Sequence, residues 1–280
     1  MIGEVLMAAQ AKLAPVSDSP RLDAELLLSH VTGYSRSHML IHLRDPLAPK
    51  DQIDFQELIA RRATREPVAY LTGDKGFWTL NLKVSPAVLV PRPETELLVE
   101  WALELCTPET RARVADLGTG SGAIALALAS ERPRAEIVAI DVSEDALAVA
   151  RENSHIHDVQ NVQFVCASFA EFLTPQDADS TLYDLLVSNP PYIARNDAHL
   201  DALQHEPLIA LTDGADGLQA IREIIAGAQS CLRSGGWLLL EHSYDQGAAV
   251  RKLFKQHGYV EIQTRRDLSN HERATGARKP

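Results

Sequence analysis

The chain has 280 residues, 45% hydrophobic and 23% charged, enough for one or two globular domains with a full apolar core. Its 38 acidic and 27 basic side chains give a net charge of −11, which argues against broad, salt-driven binding to a nucleic-acid backbone. Three widely spaced cysteines without a CxxC argue against a disulfide framework or a structural zinc site and fit a reducing cytoplasm; no secretory signal follows Met1, and no apolar run approaches the about 18 residues of a membrane span.

The first 65 or so residues carry apolar side chains at three- and four-residue spacing and read as a small helical module. Ser19 and Pro20 supply a cap and a first-turn proline; Leu22, Ala24, Leu26, Leu27 and Val31 form the apolar stripe that follows, and Gly33 stops it. A second helix covers about 49–65, with Ile53, Phe55, Leu58 and Ile59 facing inward. Arg61, Arg62 and Arg65 gather at its C-terminal end, where positive charge suits the helix dipole. Between 70 and 90 the texture changes: Gly73 and Gly76 punctuate the chain, and 77–80 and 82–84 alternate like a short hairpin. Two prolines, Pro91 and Pro93, then lead into a helix through Cys106. These shifts divide the chain into 1–68, a connector 69–92 and a larger domain 93–280.

From 111 onward strands alternate with helices. Strands are expected over 114–117, 136–141, 162–166, 183–188, 237–241, 259–264 and 273–277, with helices over 121–130, 143–153, 217–232 and 245–257. This alternation predicts an α/β fold, a mainly parallel sheet covered by helices on both faces. Cys166 is expected in the core of the third strand, and Arg278, Lys279 and Pro280 as a frayed end. His155 and His157 lack a third ligand at useful spacing and read as loop residues, not a metal site.

Two segments carry chemistry. Asp116-Leu117-Gly118-Thr119-Gly120-Ser121-Gly122-Ala123 lies where a strand turns into a helix, and glycines there let a ligand approach backbone N–H groups with no Cβ in the way. Nineteen residues beyond Gly122, Asp141 ends the next strand, placed to accept hydrogen bonds from ribose hydroxyls. Together they imply a nucleoside-containing ligand. Gly118, Gly120 and Ala123 also satisfy a dinucleotide pattern, so a nicotinamide enzyme stays open; Asp116 weighs toward a cationic methyl donor over a pyrophosphate.

The second segment, Asn189-Pro190-Pro191-Tyr192, closes the fourth strand, on the side of an open sheet where ligands bind. The prolines fix the backbone and leave carbonyls free. The Asn189 side-chain oxygen and the Pro190 carbonyl are acceptors able to hold a planar –NH2 group by both hydrogens, with the Tyr192 ring beside it.

These residues, with 65–73 (REPVAYLTG), 86–96 (PAVLVPRPETE), Glu206-Pro207 and 234–236 (SGG), resemble over nearly the whole chain the HemK/PrmC-type protein-(glutamine-N5) methyltransferases, which modify the glutamine of the Gly-Gly-Gln motif in class 1 peptide chain release factors. The resemblance implies a doubly wound, seven-stranded, Rossmann-like class I fold dependent on S-adenosylmethionine, preceded by a small helical domain that docks the release factor. It places the donor against Gly118, Thr119, Gly120, Ser121, Gly122, Asp141, Phe169 and Asn189, and the target glutamine against Asn189, Pro190, Pro191 and Tyr192, with Asn189 and Pro190 in the catalytic role. Where that family commonly has an acidic residue followed by Trp, this chain has Ser168-Phe169; Glu171 or a backbone carbonyl is an alternative acceptor for the adenine amine. The expectation is therefore a cytoplasmic, monomeric, metal-free enzyme acting on a protein, with no direct nucleic-acid or membrane contact. A nucleic-acid amino methyltransferase, whose adenine N6 presents the same –NH2 geometry, is the alternative.

Overall fold

The computed structural model describes residues 1–174 and 182–280, and the chain divides into two compact units, Met1–Asp74 and Lys75–Pro280. The first unit holds α1 (Ile2–Leu13), α2 (Pro20–Thr32), α3 (Arg36–Ile41), α4 (Pro49–Ala63) and α5 (Val68–Thr72). Leu6, Leu13, Leu27, Leu28, Phe55 and Ile59 meet in its core. At about 100° per residue, Leu22 and Leu26 fall opposite Ala24, and Ile53 falls opposite Phe55. All three are exposed, contrary to the expected stripes, and Leu28 takes the inward place. Gly33 ends α2 in the left-handed region at φ 73°. Ser19 occupies the N-cap position without capping; its hydroxyl turns to Asp23. The arginines at the end of α4 are structural: Arg61 pairs with Glu66, and Arg62 with the buried Asp23 at 2.8 Å.

The second unit opens with the hairpin β1 (Asp74–Phe77) and β2 (Leu80–Lys83), followed by a 3₁₀ turn at Pro93–Thr95 and α6 (Glu96–Leu105). There follow β3 (Arg113–Leu117), α7 (Ala123–Glu131), β4 (Glu136–Asp141), α8 (Glu144–Ile156), β5 (Val162–Cys166), α9 (Phe169–Leu173) and β6 (Tyr183–Ser188). The chain ends with α10 (Leu208–Leu211), α11 (Gln219–Cys231), β7 (Leu232–Glu241), α12 (Gly247–Gln256), β8 (Val260–Arg266) and β9 (Glu272–Arg278).

Seven strands form one sheet in the order β5-β4-β3-β6-β7-β9-β8, parallel except that β9 runs against both neighbours. The doubly wound α/β sheet expected from the sequence is the observed fold. Its two faces alternate residue by residue, as strand geometry requires. Val114, Ile137, Leu185 and Leu239 pack with α6 and the alanine-rich α7, while Ala115, Ile140, Leu186 and Leu240 pack with α11 and α12. The chain moves outward from β3 to β4 and β5, then returns to place β6 beside β3. The loops leaving β3 and β6 therefore open side by side, at the reversal of strand order where ligands bind.

Three local expectations are corrected. Gly122 adopts φ 84°, so α7 starts at Ala123, two residues later than periodicity suggests. β5 is an edge strand, so Cys166 at its end is exposed and not in the core. The C-terminus is held: Arg278 lies in β9 and pairs with Glu261, and the Lys279 ammonium donates to the carbonyls of Gln229 and Leu232 at 2.6 and 2.7 Å.

Candidate active site

The loop after β3 is built from within. Asp116 is wholly buried; its Oδ2 accepts from the Thr119 hydroxyl at 2.7 Å and from the Ala125 N–H at 3.1 Å, tying the strand end to the first turn of α7. Burial pushes its carboxyl up to about 7, and its Oδ1 has no hydrogen-bond partner among the described residues. Asp116 lines neither the cleft nor the second hollow described below.

Gly118 has φ 76°, and a Cβ there would lie 3.4 Å from the ring of Phe169. The left-handed φ, more than the ordinary contact a Cβ would make, favours glycine there. Asp141, at the end of β4, accepts from the Gly120 N–H at 2.9 Å and the Ser143 N–H at 3.0 Å, so its carboxylate faces the loop with lone pairs to spare.

The loop after β6 supplies the facing wall. Ser188 donates to the Leu117 carbonyl at 2.6 Å, which locks the ends of β6 and β3 together. Asn189 follows, half-buried, and its Nδ2 donates to the Thr95 hydroxyl at 3.1 Å. Tyr192 donates its hydroxyl to Glu241 Oε1 at 3.2 Å. The segment 86–93 closes the front: the buried Glu206 accepts from the Val90 N–H at 3.0 Å and from Arg92 at 2.5 Å.

A cleft results, lined by Gly118, Gly120, Asp141, Phe169, Asn189 and Pro191 among others. A second hollow shares Gly118, Gly120 and Asn189 with it and adds Thr119, Ser121 and Arg92. The residues from the glycine loop, from Asp141 and from the Asn-Pro-Pro segment thus come together, with Asn189 common to both spaces. Gly122, Pro190 and Tyr192 line neither of these two spaces: Gly122 starts the turn into α7, and the Tyr192 hydroxyl donates to the buried Glu241.

A family model described as the PrmC N-terminal domain matches residues 4–73, and one described as a methyltransferase domain matches residues 108–273. A release factor glutamine methyltransferase from Coxiella burnetii is 46% identical over 278 residues, 99% of each chain. This chain belongs to the release factor glutamine methyltransferase family. A second relative of the same name, from Escherichia coli, is 45% identical over 261 residues, 92% of each chain. A solved methyltransferase from Pyrococcus furiosus, at 16% identity, shares the fold alone: TM-score 0.52, covering 79% of this chain and 96% of that one.

Around this candidate site, several residues escaped residue-by-residue reading. Thr95, Arg92 and Glu206 sit in the quoted segments, yet nothing in their spacing shows that they meet Asn189 or each other. Glu223, from α11, lines the cleft on the same side as Ser168 and Phe169 and carries no motif at all. Glu171, the alternative acceptor for an adenine amine, is engaged elsewhere: it completes the capping box of α9 with Ser168 and lines neither space.

Proposed function

We propose that this chain methylates the side-chain amide nitrogen of the glutamine in the Gly-Gly-Gln motif of class 1 peptide chain release factors, with S-adenosylmethionine as methyl donor. The observation that carries the reading is the placement of Asn189, whose carboxamide borders the cleft of the glycine loop and is held by its nitrogen alone among the described residues. Its oxygen is left to accept from an incoming –NH2 group, and the Pro190 carbonyl is the second acceptor.

The residues fit a nucleoside donor. Gly118 and Gly120 bring loop backbone to the cleft wall with no side chain, Asp141 offers a carboxylate to ribose hydroxyls, and the Phe169 ring offers a flat face to a base. The donor supplies a sulfonium-bound methyl group: the N–C bond forms as the C–S bond breaks, and the nitrogen then loses one proton. An amide nitrogen is a weak nucleophile because its lone pair is delocalised. The chain's contribution is therefore alignment, together with acceptors that stabilise positive charge developing on nitrogen.

We place this reaction in the cytoplasm, on a protein substrate, by a monomeric chain with no direct nucleic-acid contact. The net charge of −11 weighs against nucleic-acid contact. No helix among the described residues is long and apolar enough to cross a membrane. The N-terminal unit, a helical body with its own core, is proposed to carry docking contacts for the release factor. Mass spectrometry of a Gly-Gly-Gln peptide or whole release factor after incubation with enzyme and donor tests the proposal. One added methyl on the glutamine supports it. Transfer only to DNA or RNA offered in parallel overturns it.

A further inference from the structure

Most of the polar side chains that line the cleft are engaged with the protein itself. Asp141 accepts from the Gly120 and Ser143 N–H groups, and Asn189 donates to Thr95. The Ser143 hydroxyl accepts from the Ala146 N–H at 3.2 Å, capping α8. Ser168 is used twice: its hydroxyl donates to Glu171 at 2.7 Å and accepts from the Glu171 N–H at 3.2 Å. Glu223 differs. Its half-buried side chain lines the same cleft and has neither a hydrogen bond nor an ion pair among the described residues. The residues three and four positions away in α11 are Gln219, Ala220, Ala226 and Gly227, so its own helix supplies no cation to neutralise it. The adjoining Arg222 is turned to Asp216 at 2.9 Å. A carboxylate on a cleft wall with no protein partner is an acceptor held for a ligand.

The packing of α11 says which part of a ligand it meets. This helix lies against α9: a Cβ at Gly227 would stand 2.8 Å from that of Leu173, and the Ser230 hydroxyl donates to the Leu173 carbonyl at 2.7 Å. One turn earlier in each helix come Glu223 and Phe169, and both line the cleft. Phe169 is the one aromatic side chain among the lining residues, and its ring lies 3.4 Å from where a Gly118 Cβ would be. It is the flat face available to the base of a donor whose ribose is held by Asp141, and Glu223 belongs to that same wall.

An ionised carboxylate only accepts, so it needs a donor from the base. On the edge of adenine that donor is the exocyclic amine. We propose that Glu223 determines which base the methyl donor carries, its carboxylate accepting a hydrogen bond from the adenine amine, a task for which the hydroxyl of Ser168 and the carboxylate of Glu171 are already committed. The inference rests on the donor half of the function proposed above and is independent of which molecule receives the methyl group. A purine with a keto oxygen in place of the amine sets acceptor against acceptor at Glu223, and the unpaired carboxylate then counts against binding.

Titration calorimetry of the full-length chain tests this with two ligands, S-adenosylhomocysteine and S-inosylhomocysteine, in which a keto oxygen replaces the amine. Wild type, Glu223→Ala and Glu223→Gln are compared, with Tm as the check on folding. Wild type should prefer the adenosyl compound by about 10-fold or more. Glu223→Ala should bind that compound about 10-fold more weakly and the inosyl compound within about 3-fold of wild type, so the preference collapses. Glu223→Gln offers either an acceptor or an –NH2 group, and should bind the two compounds within about 3-fold of each other. A wild-type preference that survives in Glu223→Ala overturns the proposal. So does an equal loss of both ligands, the result expected of a carboxylate serving the ammonium end of the donor. Should Glu223→Ala fail to fold, the near-isosteric Glu223→Gln decides alone. Wild-type protein that binds neither compound overturns the donor reading itself, whereas binding without a preference for the amine overturns only the role of Glu223.

Discussion

Gly120 donates its backbone N–H to Oδ2 of Asp141 at 2.9 Å, so the glycine loop and the end of the neighbouring strand share one hydrogen bond across the floor of the cleft. The same carboxylate takes the Ser143 N–H on its other oxygen. Asp141 therefore shapes the loop as well as offering lone pairs to a ribose. Asp141→Ala should weaken S-adenosylhomocysteine binding by about 10²-fold, combining a lost charge-assisted pair with a loosened loop. Titration calorimetry checks it, and affinity within 2-fold of wild type would remove Asp141 from the donor site.

Asn189 separates binding from chemistry. Asn189→Ala should lower kcat by on the order of 10²-fold, with donor affinity changed far less, because the lost contact strengthens as charge develops on the substrate nitrogen. Steady-state kinetics with a Gly-Gly-Gln peptide measures the split. Near-normal turnover would count against the assignment.

Asp116 makes stability depend on pH. Its folded carboxyl titrates near 7 against an ordinary 3.8, raised by burial. The folded state therefore keeps a proton that the unfolded chain has released, and stability falls as pH rises through the window from about 4 to 7. Glu241, at about 7 against 4.5, acts with the same sign. Asp116→Asn keeps an acceptor for Thr119 and Ala125 without the charge, so its Tm should fall less steeply than wild type between pH 4 and 7. Parallel Tm curves for the two proteins would show that Asp116 does not titrate in that range.

Gly217 is a packing constraint behind the site. It holds φ 78°, and a Cβ there would lie 2.3 Å from the Tyr192 carbonyl oxygen. Gly217→Ala must therefore shift the segment carrying Asn189 and Tyr192, and should cost about 1–3 kcal/mol of stability together with lower turnover. Denaturant melts and the peptide assay read both effects, and wild-type values in each would refute the contact.

Much of this was legible along the chain. Strands β3, β4, β6 and β7 were readable from short apolar runs bounded by turn residues, while β8 and β9 carry more charge and were readable from the alternation with α12. The glycine loop and the Asn-Pro-Pro segment were readable because their chemistry is local. The misreadings have one origin. Leu22, Leu26 and Ile53 were assigned inward because they are apolar, yet their angular position on the helix turns them outward. A free cysteine in a strand reads as a small buried hydrophobe, yet the strand of Cys166 lies at the sheet edge and leaves it exposed.

The amino-acid sequence by itself determined the order of elements, the glycines that a tight strand-to-helix turn requires, and the carboxamide at 189, since each depends on neighbours within a few residues. Only tertiary structure decided what surrounds that carboxamide. Thr95 and Asn189 lie 94 residues apart and meet by one hydrogen bond, and Tyr192 reaches Glu241 because β7 pairs beside β6. Contacts between residues so far apart depend on the path of the whole chain, so no single stretch of the sequence announces them.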